Sequence, residues 1–139
     1  MEKIFSKLKL NPKTNRYDYD GDLGRNELNT FFVSEDKDGF IINFGKITGD
    51  FICINLGLKS LKGAPTEVGW SFYCDRNQLT SLEGAPKIVG KNFNCSWNNL
   101  TSLKGAPRKV GRTFSCNYNP NLHSLDGIGE VKGEIYKGF

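Results

Sequence analysis

Cysteine, histidine and the carboxylates are the side chains here whose spacing bears first on metal or covalent chemistry. Cys53, Cys74, Cys95 and Cys116 stand 21 residues apart throughout. Zinc sites draw cysteines in pairs about two to four residues apart, so the zinc spacing is missing. Equal spacing instead puts the thiols in one column of a repeat, where they serve as small apolar wedges of a core in a reducing, intracellular compartment. His123 is the sole histidine, and no serine or cysteine pairs with it at a spacing that argues for a nucleophile. The carboxylates form no paired acid-base column. The chain therefore reads as non-enzymatic, with no catalytic residue, no cofactor and no metal.

One acidic stretch needs separate weighing. Asp18, Asp20, Gly21, Leu23 and Glu27 fall at the third, fifth, sixth, eighth and twelfth positions of an EF-hand-like calcium loop, with Asp22 at the carbonyl position. The first position, which should supply a carboxylate, is Arg16, a cation where the ion would sit. The stretch is expected to be an acidic surface turn.

Recognition is the chemistry the residue types favour. Trp70, Tyr73, Arg76, Lys91, Trp97, Arg112 and Tyr118 belong to the aromatic and cationic classes enriched in binding hot spots. What positions them is a repeat. The segment that starts Val68-Gly69-Trp70-Ser71-Phe72-Tyr73-Cys74 recurs 21 residues later from Val89 and again from Val110, with a diverged earlier copy and a truncated later one. That makes four to five rungs. Phe51, Phe72, Phe93 and Phe114 precede the cysteines by two residues, so both columns face one side of a short strand, the core. Leu58, Leu79, Leu100 and Leu122, then Leu61, Leu82, Leu103 and Leu125, line the same core after a turn, the last rung shifted by an insertion near Pro120. Asn77, Asn98 and Asn119 fall where each coil must bend, and should form a ladder satisfying backbone groups. Gly-Ala-Pro triplets and Gly69, Gly90 and Gly111 interrupt the return path, so no helix is expected there.

The spacing Phe-x-Cys-x-x-Asn-x-Leu-x-x-Leu resembles the leucine-rich-repeat signature, and the Leu-Thr-Ser-Leu-x-Gly-Ala-Pro units resemble short repeats of uncharacterised phage and bacterial proteins. The resemblance implies a mostly β, leucine-rich-repeat-like solenoid and a binding role, with no activity attached. Residues 1–45 lack the repeat and carry a net charge of −1 against +5 for the remainder. They are expected to form an N-terminal cap on an array of residues 46–139, with strands at 31–33 and 40–44 packed on the first rung.

Strand positions alternating with Phe and Cys should face away from the core. They comprise Trp70, Ser71, Tyr73, Asp75 and Arg76, then Lys91, Asn92, Asn94, Ser96 and Trp97, then Arg112, Thr113, Ser115, Asn117 and Tyr118. Rigid display of this face points to a protein-protein interaction module, and the phage resemblance implies a host or viral protein as the one bound and modulated. A second reading is single-stranded nucleic acid or nucleotide binding, with bases stacked on Trp70, Trp97 and Tyr118 and phosphates met by Lys91 and Arg112. It draws on the local run Lys87, Lys91, Lys104, Arg108, Lys109 and Arg112, which has no acid among it. A third is a structural or assembly component pairing through Glu134-Ile135-Tyr136-Lys137.

Composition bounds these readings. At 139 residues, with 37 % apolar and 24 % charged side chains, the chain suits one folded unit and is neither disordered nor collagen-like. No run approaches the ~20 apolar residues of a membrane span, and residues 1–10 lack the apolar core of a signal sequence. A cytoplasmic monomer is expected.

Overall fold

The structure, a computed structural model, describes residues 2–139; Met1, part of the segment read for a signal sequence, lies outside the described residues. The chain opens with helix α1 (Glu2–Lys7), a hairpin of β1 (Lys9–Asn11) and β2 (Arg16–Tyr19), and helix α2 (Arg25–Phe31). From there it winds as a β-solenoid in which each 21-residue coil carries two short parallel strands. The first strands are β3 (Phe44–Ile47), β5 (Glu67–Val68), β7 (Ile88–Val89), β9 (Lys109–Val110) and β11 (Glu130–Val131). The second strands are β4 (Phe51–Ile52), β6 (Phe72–Tyr73), β8 (Phe93–Asn94), β10 (Phe114–Ser115) and β12 (Ile135–Tyr136). First strands stack into one sheet that β2 and β1 extend, and second strands stack into another.

Register is held by identical residues lying over one another. Val68, Val89 and Val110 pair in sequence, as do Phe51, Phe72, Phe93 and Phe114. The phenylalanine rings stack nearly parallel in the inner coils, with centroids 5.5 Å apart for Phe51 and Phe72 and 5.6 Å for Phe72 and Phe93. All four cysteines are free thiols buried in the same core. Gly90 and Gly111 turn the corner between the two strands of a coil. A Cβ on Gly90 would collide with the Gly69 carbonyl oxygen, and one on Gly111 with that of Gly90. Backbone lies directly on backbone there, which leaves no room for a side chain.

The asparagine ladder forms, with an offset that explains its missing first member. Asn77 Oδ1 accepts from the N–H groups of Leu56 and Leu58 in the preceding coil, and its Nδ2 donates to the carbonyls of Cys53 and Cys74. Each asparagine thus closes the turn before its own, so the first coil can carry Leu56 at this position. A second ladder runs along the corner: Asp22 Oδ1 accepts from Asp50 N, Asp50 Oδ1 from Ser71 N, Ser71 Oγ from Asn92 N, and Asn92 Oδ1 from Thr113 N.

The first 45 residues differ from the expected pair of strands. Phe31 ends helix α2, and residues 40–43 lie outside the named strands, linked to 31–33 by the single bridge between Val33 and Phe40. The reason is where their backbone bonds go: Phe40 and Phe44 donate to the carbonyls of Lys62 and Gly63 in the first coil. Leu28, Phe32, Phe40 and Phe44 are buried against the start of the array. Phe40 and Phe44 meet Phe51 edge to face, at 5.4 and 5.3 Å. β2 pairs with β3 through a register shift between Tyr17 and Tyr19, and Leu23 makes an isolated bridge to Phe51, so strand pairing links the first 45 residues to the array. Among the described residues no helix is long and apolar enough to cross a membrane.

Candidate functional site

The acidic stretch 18–27 is occupied by the fold. Asp18 Oδ1 accepts from Lys46 N, Asp20 Oδ1 from Thr48 Oγ1 and Asp22 Oδ1 from Asp50 N, while the Arg16 guanidinium donates to the Phe44 carbonyl. These carboxylates tie β2 and the residues just after it to β3 and the corner that follows. Among the described residues no three His, Cys, Asp or Glu side chains stand placed to hold a metal ion. His123 is exposed, in the column of Lys59, Thr80 and Thr101, which are exposed as well.

Second strands carry the outward residues, and the repeat sorts them into three columns. Trp70, Lys91 and Arg112 stand just before the strands, Tyr73, Asn94, Ser115 and Tyr136 on them, and Arg76, Trp97 and Tyr118 just after. Six residues separate the outer columns, at most about 20 Å of extended chain.

In the first column Trp70 is 57 % exposed, and the Lys91 ammonium lies 5.5 Å from its ring centroid. Arg112 is exposed. In the third, the Arg76 guanidinium carbon lies 4.9 Å from the Trp97 centroid, and Trp97 and Tyr118 stack at 4.1 Å with 14° between planes. Guanidinium, indole and phenol therefore form one continuous pile across three coils. Each sits in the left-handed backbone region, with φ of 60°, 58° and 57°, as does Asn55 before them at 52°. A residue with a bulky side chain pays about 1 kcal/mol or more for that conformation, and glycine or asparagine is the easy occupant. Only the first coil uses the easy one.

Between the second and third columns lies an open depression of about 250 Å³, lined by Asp75, Asn94, Ser96, Ser115, Asn117 and Tyr136 and by the Arg76–Trp97–Tyr118 column itself. Here the structure corrects the expected face: Ser71, Asp75 and Ser96 are buried. They sit at the strand margins, where the chain turns inward and strict alternation ends. Burial raises the Asp75 carboxyl above its ordinary value, opposed by a hydrogen bond from its own backbone and then by the neighbouring Arg76 charge. The depression's floor was legible only as a column of small polar residues in which one acid is the odd member.

The basic run does not form one stripe. Lys104 pairs with Glu83 at 3.7 Å, Lys91 lies over Trp70, and Lys109 stands on the other sheet, in the column of Glu67 and Glu130. Comparison of the chain with family models, curated proteins and solved structures returns no match.

Proposed function

We propose that the protein is a non-enzymatic protein-binding module whose second sheet displays Trp70, Tyr73, Arg76, Lys91, Trp97, Arg112 and Tyr118 as one preorganised face. The observation that carries this reading is the Arg76–Trp97–Tyr118 pile. Three bulky side chains occupy backbone positions suited to glycine or asparagine, stack on one another, and still leave Trp97 and Tyr118 46 % and 59 % exposed. The core gains little from them, whereas a partner meets large, rigid rings that lose little freedom on binding. By the resemblance of the repeats to phage proteins, the partner class is a host or viral protein.

The nucleic-acid reading is weaker on the same geometry. Trp97 has Arg76 on one face and Tyr118 on the other, so a stacking base would have to displace one of them. The two readings separate in an affinity capture from a lysate of the native cells, with and without nuclease, read by mass spectrometry. The proposal expects a protein retained after nuclease and in moderate salt. Recovery that vanishes with nuclease overturns it in favour of a nucleic acid.

A further inference from the structure

Asp75 is the buried ionisable group on this face that the fold does not use. It is 9 % exposed, and its Oδ1 has no hydrogen-bond partner among the described residues. Arg76, the adjacent cation, lines the same depression and acts on the carboxyl through its charge, but it makes no ion pair with it and directs its guanidinium over Trp97. The coils before and after place Ile54, Ser96 and Asn117 in the same column, and the last two meet each other at 3.4 Å without any charge. The stack would thus close with an uncharged residue at position 75. A desolvated carboxylate with one oxygen left without a donor is costly to a fold, and it lines the depression beside the aromatic pile.

We infer that the depression beside Asp75 receives a cationic side chain, a guanidinium or ammonium group, from the bound partner. The chemistry suits such a group. Its N–H donors supply what Asp75 Oδ1 lacks, the oxygens of Asn94, Ser96 and Asn117 accept further bonds, and Tyr118 and Tyr136 offer exposed ring surface to the cation. The open mouth admits the end of a long side chain without rearrangement of the coils.

This inference deepens the protein-binding reading and rests on it for the source of the cation, but its test needs no partner. N-acetyl-arginine methylamide is titrated into the ¹⁵N-labelled protein, with the neutral citrulline analogue alongside. The expected result is saturable shifts of the amides at 75–76, 94–97 and 115–118. The apparent Kd rises at least about tenfold for citrulline and for Asp75→Asn. Asp75→Ser, which copies the next coil, gives the same loss, and both variants melt no lower than the parent. Shifts that map elsewhere, that Asp75→Asn leaves unchanged, or that are absent overturn the inference. So does a marked drop in Tm for both variants, because Asp75 would then be a structural residue. A negative result here leaves the capture experiment standing, and a failed capture leaves the probe titration standing.

Discussion

At the scale of single residues, this chain is defined by groups withdrawn from chemistry. Burial pushes the Cys53, Cys74 and Cys95 thiols far above the ordinary value and Cys116 up to about 11. The thiolate is the reactive form, so the native protein should react negligibly with an aromatic disulfide reagent at mildly alkaline pH, and release all four thiols once unfolded. Cys116, nearest the open end of the array, should be the first to react. Fast titration of all four in the native state would contradict the buried column. Asp75 gives the opposite kind of prediction. Its folded carboxyl holds a proton more tightly than an unfolded aspartate of ordinary value 3.8. Its contribution to stability is therefore present at acid pH, below the unfolded value, and lost as pH rises through the folded one. Asp75→Asn should melt higher than the parent near neutral pH, with the gap closing as pH falls toward about 4. A variant melting lower at neutral pH would refute this account of the residue.

The coil is the scale at which the sequence is most legible. Its buried columns repeat by identity, so Phe, Cys, Leu and Asn each announced their place from spacing alone. The asparagine is the most demanding of these. Asn98 accepts from Leu79 N and donates to the carbonyls of Cys74 and Cys95, all of them buried. Asn98→Ala strands several backbone groups at once and should cost about 2–4 kcal/mol by denaturant unfolding, while Asn99→Ala, exposed next door, should cost under about 0.5. Equal effects would mean that the ladder contributes nothing. Two parts of the coil escaped the sequence. The first strand of each coil is read only from its valines, because the residues outside it, Glu67, Ile88, Lys109 and Glu130, share no chemical type. The cap escaped because it repeats nothing: β2 lies 27 to 28 residues before its partners in β3, as Tyr17 to Phe44 and Tyr19 to Ile47 show, and a 21-residue period does not reach it. Phe31 and Phe32 looked like strand residues by composition, but burying Phe32 against Phe44 is served by a helix end. The buried state of Asp75 was equally hidden, since alternation assigns it outward and only the turn at the strand's end brings it in.

For the whole molecule, the two ends of the stack differ in cover. The first coil lies beneath Leu28, Phe32 and Phe40, whereas Ile135, which continues the phenylalanine column at the other end, is 38 % exposed. In a stack whose units touch only their neighbours, disturbance of the cap should propagate inward. Phe32→Ala should cost about 3–5 kcal/mol and Ile135→Ala much less, measured by denaturant unfolding. Comparable costs would show that the cap is not what closes the array. Rigidity gained from this stacking is what the proposed binding face depends on. The aromatic and cationic residues ride on backbone fixed coil to coil, as in the bonds from Lys91 N to the Trp70 carbonyl and Trp97 N to the Asn117 carbonyl, both close to 3.0 Å. The most direct test is calorimetric titration of the captured protein partner against the parent chain, a Trp97→Ala/Tyr118→Ala variant and a Lys104→Glu/Arg108→Glu variant. The account predicts a loss of about tenfold or more for the aromatic pair, a small change for the charge reversals, and unchanged folding in both. Binding that survives loss of the rings but collapses with the charge reversals would contradict it.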